Sequence, residues 1–179
     1  MPKTCSEPLH RLQLHGPTMA TRWAVSCDVP PVLDTNALCQ ALAEAVEQVD
    51  AQMSPWQPES ALNQLNRAPV GDWLALPAQI LEVLARALEV CRLSDGAFDP
   101  AVGAQVDAWG FGAACDTPDA EAIRAARNAK RLPTPQALEL DLAAGLARKH
   151  SPLQLDLCGI AKGYAVDRMC AVLTGHGVC

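Results

Sequence analysis

Residues 155–167, which read LDLCGIAKGYAVD, constrain the fold more than any other segment because the hydrophobic pattern changes within them. The alternation before Gly159 predicts a strand over residues 153–157, and the helical spacing after it predicts a helix over residues 160–173. A helix start presents free backbone N–H groups and the positive end of the helix dipole. The junction is therefore a place where a phosphate could bind.

Two charged residues flank this junction. Lys162 lies in the first helical turn, where its ammonium could reach the same anion, and Asp156 ends the predicted strand. A carboxylate there could bind a hydroxyl, a ring N–H or a metal. The same residues also fit a plain strand-to-helix turn, with glycine for close packing and a solvated lysine. The P-loop order Gly-x4-Gly-Lys-Ser/Thr is absent.

Composition excludes several classes of protein. Half of the 179 residues are hydrophobic, which is typical of a globular chain. The net charge of -6 and the lack of a basic block argue against a nucleic-acid surface. No apolar run approaches the roughly 20 residues that span a bilayer, so no transmembrane segment is expected.

The ends of the chain and its cysteines bear on location. Residues 1–7 carry no hydrophobic signal region, which predicts a cytoplasmic protein. The eight cysteines show no C-x-x-C pair and no zinc spacing, so buried thiols in a reducing compartment are the simplest account. After Gly175 the pattern predicts that a further strand begins just where the sequence ends, which predicts a fragment.

The overall pattern predicts a mixed α/β (α+β) fold. A long amphipathic helix and a second one starting at Pro77 alternate with short apolar strands, and residues 54–77 are predicted to be irregular. The predicted strands are residues 9–15, 21–29, 136–141 and 153–157, and the predicted helices are residues 34–52, 78–93, 160–173 and one starting at Thr117-Pro118.

The middle of the chain adds a candidate ligand surface. In Gly96-Ala97-Phe98-Asp99-Pro100 the small residues allow a close backbone approach, and Asp99 could orient a polar edge. Trp109-Gly110-Phe111-Gly112 follows, with aromatic side chains that could stack on a planar ring. The alternative is a helix cap and a core plug, because aromatic residues are more often core than ligand platform.

Five motifs occur in a fixed order over nearly the whole chain. They are Thr18-Met19-Ala20-Thr21, Met53-Ser54-Pro55-Trp56 with Ser60 and Asn66, Gly96-Ala97-Phe98-Asp99-Pro100, Trp109-Gly110-Phe111-Gly112, and Asp156 to Asp167. Taken together, these motifs resemble those of one family, the FAD:protein FMN transferases (ApbE family). The ordered set is specific although each motif alone is weak.

The resemblance implies an activity. Family members split the pyrophosphate of FAD, join FMN through a phosphoester to a threonine or serine of an acceptor flavoprotein, and release AMP in a magnesium-dependent reaction. Gly159 takes the position of a metal ligand, where its carbonyl oxygen would suit Mg²⁺. By motif match, the residues that would contact FAD are Met19, Trp56, Ala97, Phe98, Asp99, Asp156 and Lys162.

The resemblance also sets expectations for the rest of the protein. Residues 1–179 would form a single partial flavin transferase domain of ApbE-like, T-fold-like architecture, truncated at its C-terminus. Catalytic residues and the remaining metal ligands would lie beyond Cys179, and family members are exported or membrane-anchored although no signal precedes Cys5. A non-catalytic flavin-binding module and a domain that uses these motifs only for packing remain as alternatives.

Overall fold

The computed structural model describes residues 8–19, 21–112 and 117–178. The chain divides into two compact units, one made of residues 1–50 with 163–179 and the other of residues 51–162. Helices and short antiparallel sheets make up both, which confirms the predicted mixed α+β class. Ala20 of the first motif, with Cys5, Cys115 and Cys179, lies outside the described residues.

The first unit contains the predicted hairpin. Strands β1 (His10–Thr18) and β2 (Thr21–Val29) pair antiparallel, with Leu12 opposite Cys27. Met19, in the turn, adopts a φ of 44°, a left-handed conformation that is unfavourable for a residue with a Cβ. Helix α1 (Thr35–Met53) follows, and Asp34 caps it by accepting the N–H groups of Asn36 and Ala37.

A small core holds this unit together. Gly16 is required opposite Trp23, because a Cβ there would lie 2.7 Å from Trp23 Nε1. Val178 is buried near Cys27 and Val29, but the strand expected to begin after Gly175 is not formed up to residue 178. The main cluster of buried side chains consists of Trp23, Leu38, Leu42, Val46 and Met169.

The second unit is built from short elements around a three-stranded sheet. The three strands are antiparallel, and the last of them in chain order lies between the other two. Helix α7 (Cys158–Gly175) begins in this unit and continues into the first. The other elements are α2 (Ala61–Arg67), β3 (Trp73–Ala75), α3 (Ala78–Leu93), α4 (Gly103–Ala108), α5 (Ala120–Asn128), α6 (Thr134–Ala137), β4 (Leu138–Asp141) and β5 (Leu146–Lys149).

Two sequence predictions about helices are wrong. Residues 54–77, predicted to be irregular, contain α2 and β3; Ser60 caps α2 by accepting the Asn63 N–H, and the helix buries Leu62 and Leu65. The helix predicted to start at Thr117-Pro118 begins instead at Ala120. Its cap is Asp119, which accepts the N–H groups of the first helical turn.

The strand predicted over residues 153–157 is also wrong. These residues belong to no sheet, and the strand in this region is β5, which precedes them. Among the described residues, no helix is long and apolar enough to cross a membrane.

Candidate functional site

A cavity of about 340 Å³ lies in the second unit between helix α2, the start of α4 and residues 154–156. This volume falls at the lower end of the range for ligand sites, roughly 300–1,000 Å³, and suits part of a large ligand. Its walls combine one exposed aromatic ring with amide and carboxylate side chains. The lining residues are Pro55, Trp56, Pro58, Asn63, Asn66, Arg67, Gly103, Asp107, Gln154, Leu155 and Asp156.

Residues 154–156 form one wall of the cavity. Their backbone groups form hydrogen bonds with a side chain, a loop and the start of α4 rather than with a neighbouring strand. The Asn66 side chain accepts the Leu155 N–H at 2.8 Å and donates to the Leu155 carbonyl at 3.0 Å. The Asp156 N–H donates to the Pro100 carbonyl, and the Gln154 carbonyl accepts the Gly103 N–H. Because these partners occupy the backbone groups that a neighbouring strand would need, the segment is extended without joining a sheet.

Gly103 allows one of these contacts. A Cβ at this position would lie 2.8 Å from Gln154 Cγ and 2.9 Å from the Gln154 carbonyl oxygen. The absence of a side chain therefore lets the start of α4 approach the 154–156 wall. Gln154 also donates from Nε2 to Asp107 Oδ2 at 2.6 Å, which gives the cavity a polar edge.

Asp156 is a predicted site residue, and its side chain lies at the wall of the cavity. It is 9% exposed, and its Oδ1 accepts the Cys158 N–H at 2.7 Å at the start of α7. Burial, together with the neighbouring Asp156 carboxylate, raises the pKa of the Cys158 thiol to about 11. Since the thiolate is the nucleophilic form, Cys158 is not a nucleophile near neutral pH.

The start of α7 also gathers four other predicted residues. A Cβ at Gly159 would lie 3.3 Å from Phe98 Cε2, so the Phe98 ring lies against the first turn of the helix. Ala97 is exposed beside that ring, and Lys162 is exposed in the same helical turn as Gly159. The structure thus places Ala97, Phe98, Asp156, Gly159 and Lys162 around one helix start.

Asp99 is arranged differently, because its carboxylate is bound by protein groups. Oδ1 accepts hydrogen bonds from the Thr134 hydroxyl at 2.6 Å and the Ala101 N–H at 2.9 Å, and Oδ2 pairs with Arg131 at 2.6 Å. Burial of Asp99 opposes ionisation, but the bonds from Thr134 and Ala101 and the Arg131 charge together hold its pKa below the ordinary value. The side chain therefore stabilises the loop after α3, and its contact with FAD stays a prediction.

The remaining predicted aromatic and motif residues lie in separate places. Trp56 lines the cavity with 49% of its surface exposed. Trp109 caps α4 and is 50% exposed, and Phe111 is 74% exposed, so neither ring is a core plug. Met19 belongs to the first unit.

Sequence reasoning missed the residues that support the site. Asn66 belongs to the second motif, but nothing in the sequence indicates that its side chain bonds to Leu155, 89 residues further along the chain. Arg131 and Thr134 carry no local pattern that links them to Asp99. Lys149, which donates from Nζ to the Asn66 carbonyl at 2.6 Å, likewise gave no signal.

The described residues supply only part of a metal site. They contain no group of three or more His, Cys, Asp or Glu side chains placed to hold a metal ion. Gly159 can offer its backbone carbonyl, and Asp156 is the carboxylate nearest to it in the chain. Magnesium prefers octahedral oxygen coordination, so these groups fit a metal only as a partial ligand set.

Comparison with known proteins identifies the family. Residues 19–179 match the ApbE family model, and the chain belongs to the ApbE family. It is 32% identical over 177 residues to the FAD:protein FMN transferase of Vibrio cholerae serotype O1, covering 97% of this chain and 52% of that protein. It is 39% identical over 127 residues to the enzyme of the same name from Rhodobacter capsulatus, covering 69% and 24%.

Solved structures agree with this assignment. The flavin transferase ApbE from Vibrio cholerae superposes with a TM-score of 0.85 at 30% identity, covering 96% of this chain and 55% of that one. The apo flavinyl transferase ApbE from Pseudomonas stutzeri gives 0.83 at 30% identity, covering 96% and 57%. The ApbE-like fold is thereby confirmed, and the chain spans about half the length of the relatives it matches.

Proposed function

We propose that this chain supplies the FAD-binding part of an FAD:protein FMN transferase. The observation that carries the proposal is that Trp56 and Asp156, from motifs 100 positions apart, line one cavity. The Pro100 carbonyl ties Asp156 to the Gly-Ala-Phe-Asp-Pro segment, and Phe98 lies against Gly159. Family membership and the names of the relatives support the same reaction.

The proposed reaction is a phosphoryl transfer. The hydroxyl oxygen of an acceptor threonine or serine attacks the phosphorus of the FMN half of FAD. A new P–O bond forms, the bond to the AMP phosphate breaks, and AMP leaves with the electron pair. The hydroxyl proton passes to a base outside the described residues.

The residues of this chain bind and orient FAD in that reaction. Trp56 offers a ring face for stacking, and Asp156 accepts an N–H or hydroxyl of the ligand. The exposed Lys162 ammonium and the positive end of the α7 helix dipole attract the pyrophosphate. Phosphoryl transfer depends mostly on such positioning and charge neutralisation.

Magnesium is part of the proposal. When bound, it would neutralise charge on the pyrophosphate, and the Gly159 carbonyl would be one of its ligands. The partner would be a flavoprotein with a threonine or serine attachment site.

A transfer assay tests the proposal. The full-length gene product is incubated with FAD, Mg²⁺ and a threonine-bearing acceptor flavoprotein, and covalent flavin and released AMP are measured. We expect both products in equal amounts, and neither after exhaustive chelation. Flavin attachment that survives chelation would overturn the metal requirement, and FAD binding without AMP release would favour the non-catalytic module.

A further inference from the structure

Two residues that no FAD motif match assigns to the ligand converge on the backbone before Asp156. Asn66, at the end of α2, forms both of its side-chain hydrogen bonds with Leu155, one as donor and one as acceptor. At Leu155, the residue before Asp156, the Asn66 amide thus makes the backbone hydrogen bonds that a neighbouring strand would otherwise make. The position of Asp156 therefore depends on where the end of α2 is held.

A buried lysine holds the end of α2. Lys149 is 4% exposed at the end of β5, and its Nζ donates to the Asn66 carbonyl at 2.6 Å. In the part of the chain that the structure describes, the ion pairs within 4.0 Å involve other cations. Burying an ammonium without a carboxylate is costly, and a charge-assisted bond to a carbonyl offsets only part of that cost.

We propose that Asn66 and Lys149 are positioning residues that set the Asp156 carboxylate for FAD, an inference that rests on the proposed function. Lys149 fixes the Asn66 backbone, the Asn66 side chain fixes Leu155, and Leu155 places Asp156 at the cavity wall. Both act through Asp156.

A double-mutant cycle tests this chain of contacts. FAD is titrated against the full-length protein and against Asn66→Ala, Asp156→Asn and the double variant, without acceptor. We expect Asn66→Ala to raise the Kd for FAD about tenfold in the wild-type background. In the Asp156→Asn background the same change should raise it no more than about twofold, because groups acting through a common partner are not additive.

Lys149→Met extends the test to the second residue. It keeps the apolar stem and removes the charge and the donor, so we expect a rise in Kd that does not add to that of Asn66→Ala. If Asn66→Ala fails to fold, Asn66→Asp replaces it, because Asp keeps the acceptor for the Leu155 N–H and exchanges the amide donor for a charged oxygen. The Asn66→Asp variant should likewise raise the Kd for FAD in the wild-type background and raise it little in the Asp156→Asn background.

Controls separate positioning from general loosening. Val83→Ala removes buried volume from α3, and Gln64→Ala removes an exposed hydrogen bond from the same helix as Asn66. We expect both to leave the Kd unchanged, even where Val83→Ala lowers the melting temperature as much as Asn66→Ala. A rise in Kd with Val83→Ala, or fully additive losses in the cycle, would overturn the positioning role. A wild-type protein that does not bind FAD would instead overturn the proposed function, and this inference with it.

Discussion

Two short segments of the second unit each carry an aspartate that the family resemblance assigns to FAD, and they differ in what binds the carboxylate. Asp99 is held by Thr134, Ala101 and Arg131. Asp156 accepts the Cys158 N–H and lies at the wall of the cavity. The same residue type thus stabilises a loop in one motif and lies at the cavity wall in another.

The difference shows that a motif match does not by itself say which atom meets the ligand. A carboxylate already bonded to a hydroxyl, an N–H and a guanidinium has little capacity left for another partner. The Asp99 segment can still contribute Ala97 and the Phe98 ring to the site, since Phe98 lies against Gly159. Substitutions at the two aspartates should therefore separate stability from affinity.

The largest effect is expected for Asp99→Ala on stability. The free energy of unfolding should fall by about 2–3 kcal/mol at pH 7, because hydrogen bonds are lost and the Arg131 guanidinium loses its carboxylate partner. Partial exposure of both side chains keeps the loss below that of a fully buried pair. Urea denaturation measures it, and the Kd for FAD should change less than about twofold.

Asp141→Ala is the matched control for this substitution. Asp141 is an exposed aspartate that caps a turn by accepting the Ala144 N–H, so its loss should cost less than about 1 kcal/mol. Wild-type stability together with a large loss of FAD affinity in Asp99→Ala would reverse the comparison.

Asp156→Asn should show the opposite pattern. The Kd for FAD should rise about tenfold or more, since a charge-assisted bond to the ligand contributes roughly 1.5–3 kcal/mol. Asparagine keeps an acceptor for the Cys158 N–H, so unfolding should change by less than about 1 kcal/mol. Asp119→Asn, at the cap of α5, is the control that should leave affinity intact; an equal loss of affinity there would remove Asp156 from its assigned role.

Acid should reduce the contribution of Asp99. Its pKa is lower in the folded protein than the ordinary 3.8, so ionised Asp99 stabilises the fold above that value. This stabilisation is lost as pH falls through the folded pKa. The difference in unfolding free energy between wild type and Asp99→Asn should therefore shrink as the pH falls from 5 to 3. A constant difference over that range would contradict the lowered pKa.

The smallest effect on stability is expected for Lys162→Ala. Lys162 is exposed in the first turn of α7, so unfolding should change within about 0.5 kcal/mol. The KM for FAD should nevertheless rise, because the ammonium is proposed to attract the pyrophosphate. Lys130→Ala, another exposed lysine, should change neither quantity. Parallel losses of melting temperature and activity in Lys162→Ala would support a packing role instead.

Sequence periodicity predicted the elements whose own residues bury an apolar face. The β1–β2 hairpin, α1 and α3 follow the predicted patterns closely, since Leu38, Leu42 and Val46 recur at helical spacing. Helix α2 was missed because it is only seven residues long, contains Asn63 and Asn66, and lies between Pro58 and Pro69. The 153–157 segment has the alternation of a strand, but Asn66 and Pro100 took its backbone bonds.

For the candidate site, the sequence predicted the residues that belong to motifs but not the distant residues that hold them in place. Motif matches found Trp56 and Asp156, and both line the cavity. The partners of Asp99 lie 32 and 35 residues away, and no local pattern specifies such contacts. The Lys149 contact also spans 83 residues, so it becomes visible only once the sheet and α2 are in place.

The Asn66–Leu155 contact has a consequence for the order of folding. Its two hydrogen bonds join residues 89 positions apart, and closing so long a loop carries an entropy cost that local contacts do not. We expect α3 and the hairpin to gain protection against hydrogen exchange early in refolding and the Leu155 amide to gain it late. The wall that presents Asp156 would then be among the last parts of the second unit to become native, and early protection of Leu155 would rule this order out.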